Sequence, residues 1–167
     1  YDSGLAFVRD AAAHRAAMTL STSYLPAEAA GRDQIDWTPE LSRRARGFAV
    51  YAALRELRRE GLAALVERTC RHAAALTEGL GVLPGAEVVA RSDLNQGLVR
   101  FGDDARTDAV IAAINATGEA FFGGVTWHDR RCMRISVSNW RTSDEDVARA
   151  IAAARDVLEA QAALAPA

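Results

Sequence analysis

Hydrophobic and polar positions follow two different periods along this chain. Gly4-Leu5-Ala6-Phe7-Val8 is a short apolar run closed by Arg9-Asp10, a pattern that predicts a buried strand. Residues 19–37 keep no period and carry Pro26 and Gly31, which predicts a long loop of the kind that is usually functional or mobile. Thr38-Pro39-Glu40 then offers a helix start, with threonine as N-cap, proline at the first helical position and an acid in the first turn. Leu41, Ala45, Phe48 and Ala52 form an apolar stripe, widened by Val50, Leu54 and Leu57. That stripe predicts a helix to about Arg59, broken at Gly61. Leu62, Leu65, Val66, Ala73, Leu76 and Leu80 predict a second helix ending near Gly79 and Gly81.

From Gly85 the period shortens. Glu87–Ala90 and Gly97–Phe101 alternate as strands around a polar 91–96 segment. Asp103–Gly118 carries Val110, Ile111 and Ile114 at helical spacing, and Phe121–Trp127 and Cys132–Val137 are two further strands around His128-Asp129-Arg130. Thr142-Ser143-Asp144-Glu145 has the form of a capping box for a last helix burying Val147, Ile151, Ala154 and Leu158, which fades into an alanine-rich tail. The order β-β-α-β-β-α predicts an α+β domain, an antiparallel sheet with helices packed on one face.

Composition then removes function classes. The chain has 167 residues, half hydrophobic and a quarter charged, with a formal net charge of -2. That is a globular mix without the basic excess a nucleic-acid surface needs. It has no apolar run of about 18 residues to span a membrane. Cys70 and Cys132 lie far apart with no metal-ligand spacing, so they read as thiols of a cytoplasmic protein. All 20 residues counted as Lys+Arg are arginine. Without a lysine, no side chain here can form a Schiff base with a carbonyl cofactor.

Three motifs in order carry a resemblance. Tyr1-Asp2-Ser3-Gly4 opens the chain; Asp36-Trp37-Thr38-Pro39-Glu40-Leu41-Ser42-Arg43-Arg44-Ala45-Arg46 leads to Leu57-Arg58-Arg59-Glu60-Gly61-Leu62; and Met133-Arg134-Ile135-Ser136-Val137-Ser138-Asn139-Trp140-Arg141-Thr142 comes near the end. Together they resemble the group II pyridoxal-phosphate-dependent amino-acid decarboxylases, the aromatic-amino-acid, histidine, glutamate and diaminobutyrate enzymes, over essentially the whole chain. The resemblance implies the C-terminal small domain of a fold-type I enzyme. Residues 1–37 would then be the end of the large domain with a mobile catalytic loop, 38–84 connecting helices, and 85–167 the small α+β domain. It also implies that the cofactor lysine, with the other cofactor-binding residues, lies upstream in a cytoplasmic homodimer that acts on a small-molecule amino-acid substrate.

The same resemblance assigns three residues. Tyr24 matches a loop tyrosine that delivers a proton to Cα after CO₂ leaves; its plain reading is a surface-loop tyrosine. Arg134 matches the arginine that receives the substrate α-carboxylate, a task suited to the parallel donors of a guanidinium. Alternation puts Arg134, Ser136 and Ser138 on one face and Ile135 and Val137 on the other, so Arg134 points away from the apolar side as any surface arginine would. Ser42 follows the expected helix start and matches a stretch near the cofactor phosphate of the neighbouring subunit. His128 reads as a solvated turn histidine, and His14 and His72 show no partner. Two alternatives stay open. One is another enzyme of the same cofactor class, an aminotransferase, lyase or aldehyde synthase, and the other a non-catalytic α+β regulatory or interaction domain.

Overall fold

A computed structural model describes residues 3–19, 33–40 and 42–164. The chain divides into two compact units, Tyr1–Leu57 and Arg58–Ala167.

In the first unit the expected strand at Gly4–Val8 does not form. These residues are exposed and pair with nothing in a sheet, because an apolar run becomes a strand only where a ladder partner takes its backbone groups. Helix α1, Ala11–Met18, follows. Asp10 caps it by accepting from the Ala13 N–H at 2.9 Å, and Thr19 closes it on the Arg15 carbonyl. Gln34–Asp36 is a single 3-10 turn capped by Asp33. Asp36 ties the two pieces together, accepting from Arg15 Nε at 3.0 Å and Thr19 Oγ1 at 2.9 Å, while His14 packs edge-on against Trp37.

Helix α2 spans Gly47–Gly81, so the expected start at Pro39 is corrected by eight residues. The Thr38 hydroxyl donates to the carbonyls of Gln34 and Glu40 instead of accepting from a first-turn N–H, so it does not act as a cap. The break within α2 falls at Arg58, with φ 55° and ψ −171°, and not at Gly61.

The second unit is the α+β domain. From Arg59 onward α2 buries Thr69, His72, Ala73, Leu76, Thr77 and Leu80. Strands β1 (Ala86–Arg91), β2 (Gln96–Phe101), β3 (Gly123–Trp127) and β4 (Arg130–Ser136) form one antiparallel sheet in the order β1-β2-β4-β3. A two-residue turn with positive φ at His128 and Asp129 joins β3 to β4. Helices α3 (Asp104–Ala116) and α4 (Asp144–Leu164) complete the layer. Val99, Phe101, Met133 and Ile135 face Val110, Ile114, Ala154 and Leu158 across the core. At Gly97 a Cβ would come within 2.1 Å of Thr77 Oγ1, so α2 crosses β2 where β2 has no side chain. Asp103 caps α3 through the Arg106 N–H. The capping box of α4 sits one residue later than expected: Ser143 and Asp146 exchange hydrogen bonds, while the Thr142 N–H turns back to Asn139.

Candidate functional site

The alternation of β2 and β4 separates the two faces of the sheet. Val99, Phe101, Met133 and Ile135 go into the core, and Leu98, Arg100 and Arg134 go to the opposite face. On that outer face, register lines up one residue from each strand: Ala90 pairs with Leu98, Leu98 with Arg134, and Arg134 with Gly123.

Four arginines lie on β2 and β4, and three are neutralised. Arg100 meets Asp104 at 3.1 Å, Arg131 meets Asp108 at 2.7 Å, and Arg130 pairs with Glu87 across the sheet. Arg134 is exposed and has no ion-pair or hydrogen-bond partner among the described residues. The acids nearby, Glu87 and Asp104, are committed to other arginines. An unengaged guanidinium is free to take a bidentate anion. Below the Arg130–Glu87 pair, burial pushes the Cys132 thiol up, against the opposing effect of Arg100 and Arg130, so it is no nucleophile in this state.

The other expected residues fare differently. Tyr24 lies outside the described residues. Ser42 is exposed in a non-helical stretch before α2, and its carbonyl accepts from Arg43. The helix-start argument for an anion at Ser42 is therefore corrected, since free helical N–H groups begin only at Gly47. His128 keeps to its turn and stacks edge-on with Trp127. His72, expected to have no partner, is buried and holds Asp144 at the start of α4 at 2.9 Å.

The motif from Met133 to Thr142 leaves the sheet at Ser136 and continues into a loop. Arg68 fastens that loop to α2 through the Trp140 carbonyl at 3.0 Å, and Arg141 stacks on the Trp140 ring. Ser136, Ser138, Asn139 and Thr142 line a cleft of about 210 Å³ beside Phe122 and the first turn of α4. No group of three or more His, Cys, Asp or Glu among the described residues is arranged to hold a metal ion. No described helix is long and apolar enough to cross a membrane. Sequence reading found Arg134 but missed its partner across the strands, Gly123. The only signal there was the Gly123-Gly124 pair at the start of a strand.

No family model and no curated protein matches the sequence. Solved structures do. A crystal structure of Oryza sativa TDC with PLP and tryptamine superposes with a TM-score of 0.78 at 16% identity, covering 88% of this chain and 33% of that one. Catharanthus roseus tryptophan decarboxylase in complex with L-tryptophan gives 0.69 at 15% identity, over 77% of this chain and 29% of the other. Rhodiola rosea 4-hydroxyphenylacetaldehyde synthase gives 0.67 at 17% identity, over 75% and 28%. The chain spans about a third of the length of these structures. Its α+β architecture is a fold it shares with one part of them.

Proposed function

We propose that this chain is the C-terminal portion of a pyridoxal-phosphate-dependent L-amino-acid decarboxylase, a homodimer in its intact form, which converts an amino acid to an amine and CO₂. The observation that carries the reading is Arg134, unpaired among neutralised arginines, within a motif and a fold that both lead to the same enzymes. Pyridoxal phosphate, when bound, supplies the electron sink for loss of CO₂. The residues of this chain do not fit its covalent attachment, because none is lysine, so that attachment belongs to the upstream large domain.

The roles left to this chain are binding and proton transfer. Arg134 holds the α-carboxylate and so fixes which bond at Cα is broken. Tyr24 holds the proton that replaces CO₂ at Cα, in a site closed to water. Ser42 offers its hydroxyl to the cofactor phosphate of the neighbouring subunit. With Arg134 as exposed as it is here, a single ion pair contributes only about 0–1 kcal/mol, so the chain alone is inactive and needs the rest of the enzyme to exclude water. A second reading, aldehyde synthesis, is favoured by one observation, the similarity to an aldehyde synthase.

The test is product analysis on the full-length parent. The wild type is expected to release amine and CO₂ in equal amounts. Arg134→Ala should raise KM and lower kcat/KM about 10- to 100-fold, the loss of one charge-assisted pair of about 1.5–3 kcal/mol. Tyr24→Phe should bind substrate normally but divert product from amine to aldehyde, with dissolved O₂ as the oxidant and ammonia and hydrogen peroxide as the other products. Amine formation at the wild-type rate by Tyr24→Phe removes that residue from the chemistry. Aldehyde and ammonia from the wild type would establish the second reading.

A further inference from the structure

The three glycines of the sheet differ in what surrounds them. Gly97 makes room for Thr77 on α2, and Gly124 makes room for the Arg131 guanidinium, whose Nη2 would lie 2.3 Å from an added Cβ. Gly123 has neither crowding nor positive φ; a Cβ there would meet no atom within 4 Å. Gly123 opens β3, and a strand glycine that the fold does not demand often marks the close approach of a ligand or another backbone. Gly123 is the residue paired with Arg134. The apolar side chain of Leu98 flanks Arg134 from β2, while its direct β3 neighbour, Gly123, has no side chain.

We infer that Gly123 is a specificity-determining residue, one that keeps the β3 side of Arg134 open so that the carboxylate of an amino acid can lie flat against the guanidinium between Leu98 and the β3 backbone. The inference rests on the carboxylate-binding reading of Arg134 and adds a second residue to it. A planar bidentate pair needs free access along one edge of the guanidinium. A methyl on Gly123 narrows that access, and a branched side chain closes it. Because the added atoms enter open space and β-branched residues suit a strand, these substitutions should leave folding intact or improve it. A merely structural glycine would show no such split between stability and binding.

The experiment is a size series, Gly123→Ala and Gly123→Val, in the full-length parent. KM for the amino acid, kcat, inhibition by the product amine and the melting temperature are read for each. The amine lacks the carboxylate, so it serves as an internal control. KM is expected to rise in the order Gly, Ala, Val, about threefold and then at least tenfold, as expected for about 1.4 kcal/mol per decade. Over the series kcat and amine inhibition should stay within twofold and the melting temperature should not fall. If both variants keep the wild-type KM while Arg134→Ala raises it, the inference is wrong and the role of Arg134 stands. A parallel loss of amine inhibition would equally overturn it, by showing a general blockage. If Arg134→Ala also leaves KM unchanged, the carboxylate reading fails and takes this inference with it.

Discussion

Arg58 holds a backbone conformation that L-residues resist. At φ 55° and ψ −171° it interrupts α2 between two stretches rich in good helix formers, Leu54-Arg55-Glu56-Leu57 before and Arg59-Glu60 after. Such a conformation costs about 1–3 kcal/mol in a residue with a Cβ, and glycine escapes most of it, less roughly 0.5–1 kcal/mol for its own greater freedom when unfolded. Arg58→Gly should therefore stabilise the chain by about 1 kcal/mol, and Arg58→Ala, which keeps the Cβ, should be near neutral. Urea unfolding of the two variants beside the wild type decides it. Equal midpoints for Gly and Ala would mean that the break is not held in solution. Arg134 is a different case at the same scale. With no intramolecular partner, its removal should leave stability unchanged, so any loss of function cannot be assigned to folding.

At the scale of elements, the second half of the chain was legible because each signal there is local. Period-two alternation marked β1, β2 and β4, and the helical spacing of Val110, Ile111 and Ile114 marked α3. Positive φ at Gly118 follows the end of α3. The first half depended on partners that sequence spacing does not show. Gly4–Val8 had the composition of a strand but no ladder to join. Thr38 had the look of a cap but gave its hydroxyl to carbonyls. Alanine-rich α1, without an apolar stripe, was not anticipated, and Tyr24 lies outside the described residues. Arg134 was found through its motif, whereas Gly123 could be singled out only once register placed it opposite.

The cap of α4 slipped by one residue, and this has a pH consequence. Hydrogen bonds from the Ser143 N–H and hydroxyl hold the Asp146 carboxyl below its ordinary range, assisted by Arg149. A depressed carboxylate contributes stability above its unfolded pKa and loses it as pH falls through the folded value. The contribution should thus be complete above about pH 4 and disappear below it. Asp146→Asn, which still offers an acceptor, should flatten that part of the stability profile. Denaturant midpoints from pH 2 to 7 test this, and an unchanged acid limb would assign the pH dependence to other carboxylates.

At the scale of the whole molecule, apolar side chains of α2 stand uncovered within each unit, Phe48, Tyr51 and Leu54 in the first and Leu62 and Val66 in the second. Exposed apolar side chains of that kind are common at interfaces, and the chain spans about a third of its structural relatives. The missing lysine belongs to the same picture and gives the sharpest prediction. A carbonyl cofactor needs a primary amine, and no side chain of this sequence supplies one, which leaves only the α-amino group. Pyridoxal phosphate added to this chain alone should therefore give only a weak, reversible adduct. Borohydride fixation followed by peptide mapping should place any label at the α-amino group, in less than stoichiometric amount and suppressed by free lysine in the buffer. No amino acid should be decarboxylated above the rate of cofactor in solution. A stoichiometric label at an internal position would show a covalent site that the sequence does not provide, and would overturn the proposed division of labour. On the proposed function, the full-length parent treated in the same way should take up one label per chain, on a lysine outside these residues.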